Sequence, residues 1–229
     1  IRNKTVKSFV RLHGYELYLE RYKTGYIPFH KSVLDSSNNL LFVSKQGLKY
    51  AHEVFNQPVE KIIHTPLGTP QMGRTRPSED RVLRIISCSS IIPIKRVDLI
   101  AEAISFLGDF KVKWIHIGDG KEKSVLIERT RRFKPNVEFS LTGWVKSDKV
   151  GNYYKNKPVD LFINLSTTEG VPVSIMEAMS AGVPVLATNV GGVSEIVNST
   201  NGILIDVNTN AQQIADIISK FYHLSLEVK

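Results

Sequence analysis

The sequence has very little cysteine, which limits how the fold can be stabilised. Cys88 is the one cysteine in 229 residues, so a disulfide within the chain is excluded. Such a chain is typical of a reducing compartment, and we expect a cytoplasmic location. No apolar run approaches the roughly 20 residues that a membrane-spanning helix needs. The sequence therefore predicts a chain that folds around an apolar core without internal disulfides.

Several motifs that carry chemistry elsewhere are also absent. The six histidines and the cysteine do not have the spacing of metal ligands. There is no Gly-x-Ser-x-Gly elbow, no phosphate-binding P-loop and no nucleic-acid-binding motif. We therefore expect no metal, no cofactor and no nucleic-acid partner. The chain begins at Ile1 rather than methionine and is long for one domain but short for two, so we expect a fragment of a longer protein.

Acidic residues are scarce in the first 160 positions. This part holds 28 basic and 16 acidic residues, a net charge of +12, whereas residues 161–229 carry −4. Such an excess suggests an anionic membrane or a phosphorylated ligand. The densest group of basic residues lies inside a predicted helix, where it forms either a solvated face or a contact with anionic lipid head groups. Its members are Arg129, Arg131, Arg132 and Lys134.

From residue 82 onward, strand and helix patterns alternate six times. This alternation requires crossover connections and predicts an α/β fold, a Rossmann-like doubly wound parallel sheet. The predicted strands are Val82–Cys88, Val112–Ile117, Val137–Leu141, Val159–Leu165, Pro184–Ala187 and Ile203–Ile205. The predicted helices are Val97–Leu107, Glu122–Phe133, Asp148–Lys155, Pro172–Ser180, Val193–Val197 and Ala211–Tyr222. Ligands of such sheets bind beyond the carboxyl ends of the strands.

Residues 1–65 give a less complete pattern. It contains a predicted strand at Asn39–Ser44, a helix at Lys45–Phe55 and a short strand at Ile62–Thr65. The segment that follows, 66–80, is rich in proline, glycine and threonine and indicates a linker. We therefore predict the end of an incomplete α/β domain at 1–65, a linker at 66–80 and a Rossmann-like domain at 81–229.

The segment from Leu165 to Pro184 is the most informative. Pro172 suits the first position of a helix, which places Glu169 in the preceding loop and Glu177 in the second turn. Free N–H groups and the positive dipole end lie between the two acids and favour an anion. A nucleotide sugar has this form, with phosphates between two hydroxyl-bearing rings.

Other interpretations of the two glutamates stay open. Glu169 could merely complement the helix dipole while Glu177 is a solvated helix residue. They could also be glycosidase carboxylates, but a retaining hydrolase needs them about 5 Å apart. Eight residues across a loop and a helix exceed that separation at ~1.5 Å per helical residue.

Other predicted loops add supporting features. Lys95 could neutralise a diphosphate or be an ordinary surface lysine. Gly118 allows a close approach of backbone to a ligand. The turn Gly143-Trp144-Val145 could frame a base, and Gly191-Gly192 begins a later helix.

Together these residues resemble a known family. Glu169 and Glu177, followed by Ala178-Met179-x-Ala181-Gly182-x-Pro184-Val185 and Gly191-Gly192-x-x-Glu195-Ile196, resemble the retaining GT-B glycosyltransferases of family 4, or glycosyl transferases group 1. The resemblance covers nearly all of residues 9–206 and is strongest to the bacterial capsule and lipopolysaccharide branch. It implies metal-independent transfer with retention from a UDP- or GDP-sugar to a glycan or lipid-linked acceptor.

The resemblance also implies roles for particular residues. His13 would stabilise charge near the donor sugar, although a structural strand-end histidine is the alternative. Glu169 would contact the donor sugar, Glu177 the ribose and Lys95 the diphosphate. The family often has an arginine where this chain has Ser90, and Arg96 could supply that contact. The other expected donor contacts are Gly118, Gly143, Trp144, Val145, Gly170, Val171, Pro172 and Val173.

Two rival functions accompany this hypothesis. The chain could be a nucleotide-binding module without activity, since the glycine-rich start of the family's first domain is absent and we expect the 229 residues alone to be inactive. A GT-B epimerase of nucleotide sugars is the other rival, and the glutamate motif argues against it. Lipid-linked acceptors in the family, with the basic charge, also suggest peripheral contact with the inner face of the membrane.

Overall fold

Two late segments of the sequence pack with its first 68 residues. In the computed structural model, which describes residues 6–14, 16–76, 80–155 and 157–227, the chain forms two compact units. The first unit consists of Ile1–Gly68, Glu169–Pro172 and Gly191–Ile196. The second consists of Thr69–Thr168, Val173–Val190 and Val197–Lys229.

The first unit contains a parallel sheet of three strands. Their order is β1-β2-β3, with bounds Phe9–Leu12, Asn39–Phe42 and Ile62–His64. Helix α1 (His30–Ser36) precedes β2, and α2 (Lys45–Phe55) follows it. Buried Leu12, Leu34, Leu40, Phe42 and Ala51 form the apolar core.

The sequence patterns missed β1 and α1 but predicted α2 correctly. Strand β2 ends at Phe42 rather than at Ser44, because the Ser44 hydroxyl caps α2 by accepting the Gly47 N–H at 3.0 Å. A residue that caps a helix in this way has left the strand ladder.

The second unit contains a parallel sheet of six strands. They are β4 (Val82–Cys88), β5 (Lys111–Ile117), β6 (Val137–Leu141), β7 (Leu161–Asn164), β8 (Val185–Thr188) and β9 (Gly202–Ile205). Their order is β6-β5-β4-β7-β8-β9, and every pair is parallel. This is the doubly wound, Rossmann-like order, so the predicted fold class is confirmed.

Six helices connect or follow these strands. They are α3 (Val97–Ser105), α4 (Lys123–Thr130), α5 (Ser147–Val150), α6 (Asn152–Lys155), α7 (Val173–Ser180) and α8 (Ala211–Glu227). The single helix predicted at Asp148–Lys155 is wrong, because Gly151, a poor helix former, separates α5 from α6. The helix predicted at Val193–Val197 is instead a 3-10 turn at Gly191–Glu195. Helix α7 begins one residue after Pro172.

The apolar residues of the second unit cover both faces of its sheet. Helices α3 and α8 bury Ile100, Ile104, Ile214 and Ile218 in one core cluster with strand residues such as Ile85. Strand residues of the opposite parity, Ile86, Phe162 and Val185, are also buried. Burial on both faces explains why the strands are continuous apolar runs rather than alternating patterns.

The basic cluster near α4 is largely paired with acids. Only Arg129 lies inside the helix, and the other three residues follow it. Arg129 lies 3.6 Å from Glu102, Arg131 lies 2.6 Å from Glu128, and Lys134 lies 3.7 Å from Asp109. These ion pairs favour the solvated-face interpretation over a lipid-binding patch. Within the described residues, no helix is long and apolar enough to span a bilayer.

A buried polar chain joins β4 to β5. The Trp114 Nε1–H donates to Ser87 Oγ at 2.9 Å, and Ser87 Oγ lies 2.8 Å from His116 Nδ1. His116 Nε2 lies 3.1 Å from the Ser89 carbonyl, which only accepts, so Nε2 carries the proton and Nδ1 accepts from Ser87. Burial lowers the pKa of His116 to about 4, and the bond to Ser89 offsets this only in part. His116 is therefore a neutral core residue.

The buried His116 should make stability depend on pH. Its pKa falls from 6.5 to about 4 on folding, so the unfolded chain binds more protons between these values. The free energy of unfolding should therefore decrease as pH falls from 6.5 to 4, by up to about 3 kcal/mol. Urea unfolding at several pH values would measure this. His116→Gln should flatten the profile and His223→Gln, at an exposed position, should keep it; an unchanged profile in His116→Gln contradicts the assignment.

Candidate functional site

The strand order of the second unit marks where a ligand can bind. Strands β4 and β7 are neighbours, but the chain leaves β4 toward β5 and leaves β7 toward β8, on opposite sides. A crevice forms beyond the carboxyl ends of two such strands. The Thr167 N–H donates to the Ile94 carbonyl at 2.8 Å and joins the loops that follow β7 and β4. Lys95, the next residue after Ile94, therefore lies at this crevice.

Arg96, which the sequence suggested as a phosphate contact, uses two of its three side-chain nitrogens to bind backbone carbonyls. Its Nε–H donates to the Leu165 carbonyl at 2.6 Å, and an Nη1–H donates to the Val207 carbonyl at 2.7 Å. Its backbone lies in the left-handed region, with φ of 46°. Arg96 thus ties the loops after β7 and β9 to the start of α3. Exposed Ser90 lies in the loop after β4, at the place of the arginine common in the family.

The turns after β5 and β6 approach the same crevice through glycine. Gly118 has a φ of 150°, and a Cβ there would lie 1.9 Å from the Ser89 carbonyl oxygen. The Gly118 N–H donates to the Gly143 carbonyl at 3.0 Å. The next residue, Trp144, is 75% exposed and Val145 is half-buried. An aromatic ring that is so exposed beside these turns is available for stacking.

Glu177 is a buried carboxylate in the second turn of α7. The residue is 7% exposed, and burial raises the pKa of its side chain. Burial and the charge of Glu177 together raise the pKa of Cys88, the last residue of β4, to about 12. In the part of the chain that the structure describes, no cation pairs with Glu177. The solvated-helix interpretation is therefore wrong, and a buried, uncompensated carboxyl at this edge is typical of a ligand site.

Three loops meet tightly in the first unit. The Gly192 N–H donates to the Gly170 carbonyl at 2.7 Å, and an Arg21 Nη2–H donates to the Glu169 carbonyl at 3.0 Å. A Cβ on Gly170 would lie 2.5 Å from the His13 carbonyl oxygen. A Cβ on Gly191, where φ is 56°, would lie 2.0 Å from the Glu169 carbonyl oxygen. The backbones of His13, Glu169 and Gly191 are thus brought together.

Glu169 is buried at this junction, with 7% of its surface exposed. It lies four residues before α7 begins, so the interpretation as a first-turn acid that complements the helix dipole is wrong. Val171 is half-buried, Pro172 is buried, and Val173 is exposed at the start of α7. The loop therefore holds Glu169 in place through its backbone.

His13 directly follows β1, and its ring is oriented by a carboxylate that the sequence analysis missed. His13 Nδ1 lies 3.2 Å from Glu16 Oε1, and the His13 backbone N–H also donates to that oxygen. Burial raises the pKa of Glu16, but these hydrogen bonds outweigh it and lower the pKa overall. Glu16 therefore stays ionised and orients the His13 ring through Nδ1. In functional histidines, a hydrogen bond at one ring nitrogen commonly sets the protonation of the other. The carboxylate three residues after the histidine was the available signal.

Arg21 and Glu195 are two further residues that the sequence analysis left without a role. Arg21 contacts Glu169 and lies over the Tyr18 ring, with 4.7 Å from its guanidinium carbon to the ring centroid. The Glu195 carboxylate accepts the backbone N–H groups of Lys45 and Gln46 at 2.8 and 3.0 Å. Among the described residues, no group of three or more histidine, cysteine or acidic side chains could hold a metal ion.

Comparison with known sequences gives consistent matches. A family model described as glycosyl transferases group 1 matches residues 74–228. The O-antigen biosynthesis glycosyltransferase WbnH of Escherichia coli is 29% identical over 164 residues, which are 72% of this chain and 45% of that protein. The GtfA subunit of a UDP-N-acetylglucosamine–peptide N-acetylglucosaminyltransferase of Streptococcus agalactiae is 26% identical, over 86% of this chain and 40% of that protein. The chain spans about half the length of the curated relatives it matches.

Solved structures share the fold. Anabaena Alr3699/HepE, in complex with UDP-glucose, matches with a TM-score of 0.77 at 20% identity, over 96% of this chain and 63% of that one. The lipopolysaccharide outer core galactosyltransferase WaaB, in its apo form, matches with a TM-score of 0.72 at 19% identity, over 93% and 58%. At these identities the matches establish the shared GT-B architecture.

Proposed function

Because the chain belongs to the glycosyl transferases group 1 family, we propose that it carries the donor site of an enzyme that moves a sugar from a nucleotide sugar to an acceptor. The observation that carries this proposal is the crevice beyond β4 and β7. Lys95 lies there with a positive charge, and the uncompensated Glu177 lies beside the end of β4. A ligand with phosphates next to a ribose diol would place its phosphates near Lys95 and its hydroxyls near Glu177.

Each group then has a chemical role. Lys95 and the N-terminal turn of α7 stabilise the charge that develops on the nucleoside diphosphate as the bond between the sugar C1 and the phosphate oxygen breaks. Glu177 accepts hydrogen bonds from the ribose hydroxyls. The Gly118 and Gly143 turns admit the nucleotide closely, and Trp144 and Val145 border the base. Glu169 contacts the donor sugar. His13, whose ring is oriented by Glu16, stabilises the charge that develops on the donor during transfer.

The stereochemistry and the donor are part of the same proposal. We expect a UDP- or GDP-sugar donor and retention of the anomeric configuration, with a phosphate oxygen of the donor taking the proton from the acceptor hydroxyl. HepE, which shares the fold, was crystallised with UDP-glucose. We also propose that neither a metal nor a cofactor is needed. Proton NMR of the product tests retention, and turnover in EDTA tests the metal requirement.

The acceptor that we propose is a glycan or lipid-linked saccharide of capsule or lipopolysaccharide synthesis, used on the inner face of the membrane. The name of the relative WbnH, an O-antigen biosynthesis enzyme, supports this class. The ion pairs around Arg129 and Lys134 weaken the case for that cluster as a lipid contact. Co-sedimentation of the full-length protein with anionic liposomes at low salt tests peripheral binding, and its absence would count against it.

Replacing Glu169 or Lys95 should impair transfer. Glu169→Ala and Lys95→Ala in the full-length protein should each lower turnover by at least about tenfold, because each removes a group that acts on the reacting donor. A coupled assay of nucleoside diphosphate release measures this. Glu53→Ala and Lys149→Ala are matched controls at exposed positions and should retain wild-type turnover. Near-normal turnover in both test variants would contradict the assignment of Glu169 and Lys95 to the donor site.

Glu177 should decide whether the protein recognises ribose. The wild type should bind a ribonucleoside diphosphate about tenfold more tightly than its 2′,3′-dideoxy analogue, because the buried carboxylate loses its hydrogen-bonding partners in the analogue. Glu177→Ala should bind both nucleotides with nearly equal affinity. Calorimetry gives the four dissociation constants, and an unchanged preference in Glu177→Ala would refute the ribose contact. Nucleotide binding by the wild type without any transfer would instead support the binding-module hypothesis.

A further inference from the structure

The N-terminus of helix α2 is capped by a residue 150 positions away in sequence. Glu195 Oε2 accepts the Lys45 N–H at 2.8 Å, and Oε1 accepts the Gln46 N–H at 3.0 Å. These first amides of a helix have no partner within it, and the helix dipole makes them favourable for a carboxylate. Ser44 Oγ accepts the next amide, from Gly47, at 3.0 Å. Both oxygens of Glu195 are thus committed to one rigid helix.

The Glu195 side chain is well enclosed for such a charge. It is 20% exposed, although the residue as a whole lies at the surface. His64 Nε2 lies 4.0 Å from Glu195 Oε2, at the end of β3. Charge-assisted hydrogen bonds with limited exposure to water are stronger than the average surface pair. These bonds therefore anchor the end of the Gly191–Glu195 turn to α2.

The other end of this turn touches the loop that carries Glu169. The Gly192 N–H donates to the Gly170 carbonyl at 2.7 Å. Gly191 packs so closely that a Cβ would lie 2.0 Å from the Glu169 carbonyl oxygen. A 3-10 turn of five residues that is held at both ends allows little displacement of one end relative to the other. A shift at Glu195 would therefore move the backbone at Glu169 and Gly170.

Arg21 holds the same backbone by a separate contact. Its Nη2–H donates to the Glu169 carbonyl at 3.0 Å, and its guanidinium lies over the Tyr18 ring. Tyr18 is itself 5% exposed and belongs to the core of the first unit. Glu169 is thus held from the Gly191 turn and from Arg21, with both contacts on its main chain.

We propose that Glu195 and Arg21 are positioning residues that fix the Glu169–Gly170 backbone, so that the Glu169 side chain meets the donor sugar in one orientation. This inference rests on the proposed glycosyl transfer. Misplacing a reacting contact by about 1 Å can cost about 100-fold in rate. We call Glu195 and Arg21, with the Glu169–Gly170 backbone that they hold, the clamp. In this proposal Glu195, the glutamate of the Gly-Gly-x-x-Glu-Ile motif, acts through its hydrogen bonds to α2 and not by contact with substrate.

The kinetic test uses Glu195→Ala and Glu195→Gln in the full-length protein, assayed well below the unfolding temperature. We expect kcat to fall at least about tenfold in Glu195→Ala, with the donor KM changed far less. Glu195→Gln should recover part of kcat, because its carbonyl oxygen still accepts one amide. Arg21→Ala should also lower kcat, and Arg21→Lys should restore part of it. Glu53→Gln, an exposed acid on α2, is the control.

Hydrogen exchange tests the clamp without any assay of activity. In Glu195→Ala, amides in residues 165–176 and 189–196 should exchange at least about tenfold faster than in the wild type, while β4 is unchanged. Unchanged exchange there, or a kcat within twofold of wild type in Glu195→Ala and Arg21→Ala, would overturn the proposal. If the wild type neither binds nor transfers a nucleotide sugar, the proposed function fails, and the exchange result still decides whether the clamp exists.

Discussion

The parallel direction of every strand is the constraint on which the described structure depends. Parallel neighbours cannot be joined by a tight hairpin, so each connection must cross a face of the sheet, and the loops that leave the carboxyl ends collect along one edge. In the second unit, β4 and β7 are neighbours, but the chain continues from β4 to one side of the sheet and from β7 to the other. This arrangement gathers Lys95, the Gly118 and Gly143 turns and the end of β4 at one crevice. The chemistry of the site follows from the side chains that those loops supply.

Close backbone packing is a second feature of the loops, in each unit by itself. Gly118, Gly170 and Gly191 each lie where a Cβ would come within 1.9 to 2.5 Å of a carbonyl oxygen. Where loops pack against each other through their main chains, the neighbouring side chains are not needed to hold the loops together. Glu169 shows the result, since its backbone carbonyl accepts a hydrogen bond from Arg21. Rigid main-chain contacts of this kind provide preorganisation, which electrostatic catalysis requires.

Sequence patterns predicted the second unit far better than the first. Strands β4 and β6 and helix α2 have the predicted bounds, because buried apolar runs and capped amphipathic helices are local signals. Strand β1 was missed because it has four residues, of which Leu12 alone is buried, so it gives too short an apolar run to recognise. Glu16, Arg21 and Glu195 were missed as supporting residues. Their partners are backbone groups, and for Arg21 and Glu195 these lie 148 to 150 residues away.

The sequence by itself determined the order of strands and helices and the parallel sheet, because periodicity and turn residues are short-range properties. It also determined that Lys95 and Glu169 would lie in loops and Glu177 in the helix that follows Pro172. Only the tertiary structure decided which charged side chains have partners within the protein. It committed Arg96 to the Leu165 and Val207 carbonyls and paired Arg129 with Glu102. It also left Glu177 buried without a cation among the described residues. The energy of a charge depends on its distance from partners and from water, and folding alone sets those distances.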